Sequence, residues 1–176
     1  MTKAKWNVDT VHSTVDFSVK HMMISNVKGT FNEFYGDIEL DPEDLTDASI
    51  NFTINTNSID THMPDRDEHL RSADFFDVEN HPNITFTATD IQKTSEDNYD
   101  MIGDLTIRGT TQTVKFDLTF EGVAKDPMSG DEAAGFTGST KINRKEFGLN
   151  WNTALEAGGF LVGDQIKITI DLQLRK

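Results

Sequence analysis

Apolar and polar residues alternate along most of this chain. Val15, Phe17 and Val19 flank Asp16 and Ser18, and Phe34, Gly36, Ile38 and Leu40 form the next run. Ile50, Phe52 and Ile54 follow, then Ile84, Phe86 and Ala88. Tyr99 to Ile107, Val114 to Phe120, Phe136 to Ile142 and Ile166 to Leu174 continue the pattern. A period of two marks a strand with one buried face. The chain therefore predicts eight clear strands, with shorter ones at Trp6–Val8 and around Phe147–Trp151. The connections "DPEDLTD", "SEDN", "RGTTQ" and "DPMSG" are turn sequences, and "RGTTQ" is short enough to close a hairpin. Short turns between successive strands imply an antiparallel meander.

One stretch departs from alternation. "THMPDRDEHLRSADFF", from Thr61 to Phe76, predicts a short helix. Pro64 suits its first turn, Asp65, Asp67 and Glu68 suit the helix dipole, and Asp67 with Arg71 makes an i,i+4 pair. Such a helix should lie against the sheet or across one open end. The last strand is long, apolar on one face and free of breakers, so an open edge there would invite aggregation. Pairing it with the first strand removes the edge. The fold expected is all-β: an eight-stranded antiparallel barrel with a short helical insertion.

At 176 residues the chain is expected to form a single domain spanning 1–176. It contains no cysteine, which excludes disulfides, thiolate metal sites and a cysteine nucleophile. The formal net charge of −14 argues against nucleic acid and against docking on an anionic membrane. No apolar run approaches the roughly 20 residues that span a bilayer, so no stable membrane insertion is expected. The opening "MTKAKWNVDT" has no secretion signal, which makes the chain cytoplasmic unless a signal has been removed. "NFT" at Asn51 and "NIT" at Asn83 read as ordinary strand residues.

Candidate chemistry is thin. In a regular strand from Val11 to His21, His21 shares the inward parity of Phe17 and Val19 and becomes a polar stop near the barrel mouth. His12 points the other way, roughly 30 Å off at about 3.3 Å per residue. Asp9, His12 and Ser13 are the residue types of a hydrolytic triad, but on one strand they do not converge, and no G-x-S-x-G is present. His62 and His69 flank Asp65 on one helix face but lie roughly 10 Å apart along the axis, too far for one ion. The remaining feature is an excess of phenylalanine, 12 Phe against 2 Tyr and 2 Trp. By parity Phe17, Phe52, Phe86 and Phe116 point inward, either as a packed core or as the wall of a site for a long apolar ligand. Periodicity leaves both open.

"W-N-V-D" with "HSTVDFSVKHM", "VKGTF", "RDEHLRSADFFDVENHP", "GDLTIRGTTQTV", "INRKEFGLNWN" and "GGFLVGDQIKITI" together resemble the YceI-like family, nearly end to end. The resemblance implies a lipocalin-like barrel that holds a long isoprenoid or similar amphiphilic lipid, with no established catalysis. It implies no cofactor beyond that bound isoprenoid or fatty lipid, and a homodimer. On this reading Phe17, Val19, His21, Phe34 and Ile38 line the first part of the pore. Phe52, Ile54, Phe86, Leu105, Phe116 and Leu118 continue it, and Ile168 and Ile170 complete it. Leu70, Phe75 and Phe76 belong to the mouth, with Phe147 and Trp151 of the "FGLNW" stretch. Arg66, Arg71, Arg144 and Lys145 are the candidates for a polar head. The alternatives are an enzyme built on His21 or the His62–His69 segment, and a ligand-free stress-response or interaction protein whose core is filled.

Overall fold

The alternating runs become strands that pair antiparallel throughout. The computed structural model describes residues 3–155 and 158–176. Its strands are β1 (Ala4–Val8), β2 (Thr14–His21), β3 (Ser25–Phe31), β4 (Phe34–Asp41), β5 (Asp44–Asn55) and β6 (Ile59–Asp60). After helix α1 (Pro64–Arg71) come β7 (Asn83–Lys93), β8 (Asn98–Ile107), β9 (Thr110–Lys125), β10 (Glu132–Asn143) and β11 (Val162–Arg175).

Eleven strands make an eight-stave barrel because the first three staves are broken. β1 and β2 form one stave, β3 and β4 the next, β5 and β6 the third. The eight runs read from the sequence map one to one onto the eight staves. Closure is by the last stave: Arg175 pairs with Asn7 on β1, and Asp171 to Val162 pair with Thr14 to His21 on β2. β3 escapes the alternation test because Gly29 interrupts Val27 and Phe31. The Phe147–Trp151 stretch is not a strand. A 3-10 turn over Arg144–Phe147 ends at Gly148, whose φ of 80° suits glycine.

The strand predicted to begin at Val11 begins at Thr14, since residues 9–13 loop out beside β11. His12 therefore does not sit on a strand face, and its Nδ1 lies 2.9 Å from Asp9 Oδ2. Two of the three triad residue types thus do meet. Ser13 Oγ, however, accepts the Gln173 backbone N–H at 2.9 Å and is tied into the barrel wall.

Asp9 joins this loop to the end of the chain. It accepts from Arg175 Nε at 2.7 Å and from the Val11 N–H at 3.1 Å. The Arg175 hydrogen bond first, and His12 second, hold its carboxyl down from an ordinary 3.8 to about 2. A depressed carboxyl contributes stability that is present above its ordinary pKa and lost as pH falls through the folded value. Between 3.8 and about 2, stability should therefore decline with falling pH. Arg175→Gln should flatten that limb, read as urea midpoints across the acid range. An unchanged limb would assign the acid sensitivity to other carboxylates.

α1 is shorter than the helical segment predicted, and it lies across the open end. The Asp67–Arg71 pair does not form. Asp67, buried, accepts from both the backbone N–H and the hydroxyl of Thr61. Arg71 donates to the carbonyls of Asn57 and Ile59, each at 3.1 Å. Both charges bind the helix to the strand before it. The helix's apolar contribution is Leu70; Ala73 lies beyond the helix end and is exposed. At the opposite end of the barrel Trp6 is 1% exposed, with Lys176 Nζ 6.0 Å from its ring centroid.

Candidate functional site: a two-chamber apolar pore

The inward faces of the staves do not fill the barrel. A lower chamber of about 110 Å³ remains, and its wall presents no polar surface. Ile38, Phe52, Ile54, Phe86, Leu105 and Phe116 border it, and Leu118 and Ile170 complete the expected set. Phe86 and Phe116 meet edge to face at 5.2 Å, a packing that fixes ring positions. Gly103 leaves the room this needs: a Cβ there would stand 2.5 Å from the Phe86 ring and 2.4 Å from the Thr87 carbonyl oxygen.

An upper chamber of about 390 Å³ stands between the barrel and its cap. Phe17, Phe31, Ile107 and Ile168 border both chambers and form the waist between them. Phe17 and Phe31 are 5.5 Å apart, and Phe31 meets Phe76 edge-on at 6.0 Å. The Phe17 ring lies against the Gly29 backbone, where a Cβ would approach it to 2.4 Å. Any side chain at 29 would push that ring elsewhere.

The upper chamber is larger, and its wall is still almost wholly apolar, but charged side chains edge it. Lys20, His21, Asp65, Arg66, His69 and Arg144 contribute to its wall. Arg144 is 1% exposed and has no carboxylate partner within salt-bridge distance among the described residues. Its guanidinium instead donates to four backbone carbonyls: Gly163 at 2.8 Å, Trp151 at 3.0 Å, Val162 at 3.4 Å, and Leu149. Burial lowers its pKa, with the charge of Asp164 opposing. His69 Nε2 lies 2.9 Å from Asp74, and its ring stands edge-on to Phe75 and Trp151 at 5.1 and 4.7 Å. That aromatic cluster joins the helical cap to the 148–161 segment.

The structure brings sixteen of the eighteen expected lining residues to the two chambers. Val19, His21, Leu70, Phe75, Phe76 and Trp151 belong to the upper one. Two stand back from both. Phe34 is buried and stacked on Phe52 at 5.7 Å, and Phe147, 1% exposed, is buried in the hydrophobic core beside β9 and β10 without bordering either chamber. Of the four head-group candidates, Arg66 and Arg144 reach the upper chamber. Arg71 is spent on the backbone, and Lys145 pairs with Asp164 at 3.4 Å. His62 and His69 take separate carboxylates, Asp60 and Asp74. Among the described residues no three histidine or acidic side chains gather closely enough to hold a metal ion.

Sequence reasoning missed Phe31 at the waist and Met63, Leu149 and Leu161 above it. It also missed Ile91 of the lower chamber. A bulge between Ala88 and Asp90 switches β7 from even to odd inward parity, so Ile91 fails the alternation that Ile84 and Phe86 obey.

Residues 6–174 match the YceI-like domain. The chain belongs to the YceI-like family. A UPF0312 protein of Staphylococcus epidermidis is 45% identical over 163 residues, 93% of this chain and 92% of its own. The crystal structure of BcnA from Burkholderia cenocepacia superposes with a TM-score of 0.81 at 26% identity, covering 94% of this chain and 98% of that one. A polyisoprenoid binding domain from Saccharophagus degradans, implicated in plant cell wall breakdown, gives a TM-score of 0.74 at 14% identity over 97% of both chains. The barrel read from alternation is thus the YceI-like barrel.

Proposed function

We propose that this YceI-like protein binds one long-chain isoprenoid, or a similar amphiphilic lipid, and stores or carries it without chemical change. The observation behind the reading is the stacking of the chambers. A wall without polar surface lies directly below a chamber edged by Arg144, Arg66, Lys20 and His21. A hydrocarbon tail gains about 0.8 kcal/mol per buried CH₂ in the lower part, before ordering costs. A polar or anionic head would lie at the charged edge above, beside Lys20 and His21 and the positive field of Arg66 and Arg144. The polyisoprenoid binding domain of Saccharophagus degradans, similar in fold, is consistent with this ligand class.

The test is mass spectrometry of an organic extract from protein purified without detergent, beside native mass spectrometry of the intact chain. The expected result is a single apolar amphiphile at near one per chain. Protein that is both free of lipid and unable to take up a long prenol would overturn the reading.

A further inference from the structure

The sharpest local anomaly lies at the tip of the β2–β3 hairpin. The Ile24 N–H donates to the His21 carbonyl at 3.2 Å, and both residues between them are left-handed, Met22 at φ 52° and Met23 at φ 65°. This is the geometry of a type I′ turn, which asparagine and glycine adopt readily and methionine does not. The turn would be better served by Asn-Gly, so turn geometry does not explain the two methionines. Strain at an exposed position points to a role outside the fold.

The tip is also exposed. Met22, Met23 and Ile24 are 44%, 62% and 82% accessible. Met63 and Phe160, also exposed, stand on the same rim. Met22 N–H bonds the Leu161 carbonyl at 2.8 Å, and the Met23 thioether packs on Gly159. Apolar side chains thus surround the mouth of the upper chamber, where Met63 and Leu161 line the wall.

Charge is distributed to match. The chain has 30 Asp and Glu among 176 residues, yet the hairpin from Phe17 to Asn32 holds none and carries Lys20 and Lys28. Acids are dense at the far end, in the turns Asp41–Asp44, Ser95–Asp97 and Asp126–Glu132, and they are also present on the cap, at Asp65, Asp67 and Glu68 of α1 and at Asp74, Asp77 and Glu79 after it. At the mouth, Asp164 is paired with Lys145, Asp74 with His69, and Asp67 is buried against Thr61, while Asp65 and Glu68 lie on α1, set apart from the tip. Freedom from acids is thus local to the hairpin, so the tip itself, and not the mouth as a whole, is the part suited to an anionic surface.

We propose that the β2–β3 tip docks the mouth reversibly on a lipid bilayer. Met22, Met23 and Ile24 enter the interface, with Lys20 and Lys28 at the level of the head groups. A narrow convex tip of flexible side chains suits insertion among lipids better than mating with a protein, where a stable interface takes about 800 Å² from each partner. Docking would let an isoprenoid pass between bilayer and pore without crossing water. The proposal takes its purpose from the lipid-binding reading, but its geometry is independent of it.

The test is flotation with vesicles of phosphatidylcholine, alone and mixed with phosphatidylglycerol. Met22→Asn with Met23→Gly suits the turn and preserves the fold; adding Ile24→Thr completes the removal of the apolar tip. The unaltered protein should float with the mixed vesicles, and this variant should bind at least about tenfold more weakly. Lys20→Gln with Lys28→Gln should lose about tenfold on the mixed vesicles and little on phosphatidylcholine alone. Equal flotation of protein and tip variant, or none by either, overturns the proposal. So does a tip variant that changes the oligomeric state in sedimentation while binding vesicles as before, since the tip would then be a contact between copies. Uptake of a short soluble prenol, measured on the same samples, should be unaffected by the tip. If neither protein takes it up, the lipid-binding reading fails, and the flotation result stands by itself.

Discussion

Arg144→Met should cost about 3–5 kcal/mol of stability. Arg144 carries a charge that is 1% exposed, and its stabilisation comes from carbonyls of Leu149, Trp151, Val162 and Gly163. Methionine matches its length but offers no donor. The carbonyls would then lose their partners in a place where water must enter to replace them, at about 1–3 kcal/mol each if it does not. Arg144→Lys should recover little, because one ammonium cannot reach carbonyls spread across both ends of the 148–163 segment. The loss has two separable forms. If Arg144 holds only that segment, amide exchange will rise from Leu149 to Val162 while the urea midpoint of the barrel moves little. If it supports the start of β11, both will change. A variant unaltered in both would show that the guanidinium bonds contribute nothing net.

Arg144 also marks where the sequence stops being legible. Alternation identifies the staves because side chains on a strand reach opposite faces at every step, whatever the rest of the chain does. Phe52, Phe86, Leu105 and Phe116 could therefore be placed on the pore wall one strand at a time. The mouth obeys no such period. Arg144 is one of four equivalent head-group candidates in the sequence, and only the return of the chain at Val162–Gly163 buries it. Phe147 lies in the same "FGLNW" stretch as Trp151, yet the 3-10 turn buries one in the packed core and leaves the other on the rim of the pore. Ile91 was hidden by a one-residue bulge, and Phe31 by the glycine that lets Phe17 lie flat. His12 was misplaced because five residues leave the first stave without any proline or glycine to announce the break. Each of these depends on a contact between segments distant in sequence.

Filling the lower chamber should set a length limit on the ligand. Ala48 lies near the start of β5, toward the closed end, and borders that chamber. Ala48→Phe projects a ring into existing space, so the cost to folding should be small. The tail of a long prenol would meet that ring. Excluding about four methylenes at about 0.8 kcal/mol each removes about 3 kcal/mol of binding, more than about a hundredfold in affinity. A prenol short enough to end above the ring should bind the variant and the unaltered protein alike. Affinities across a series of prenols of increasing length therefore read out the depth of the pore. The expected curve for Ala48→Phe follows the unaltered protein at short lengths and then stops improving. If both curves keep improving together, the tail does not reach the lower chamber, and the lipid would have to lie within the upper one. If neither depends on length, the phenylalanine wall is core and not a binding surface. The wall shared by the two chambers makes the first outcome the expected one. Phe17, Phe31, Ile107 and Ile168 border both chambers, and a chain passing between them leaves apolar surface for apolar surface along its whole path.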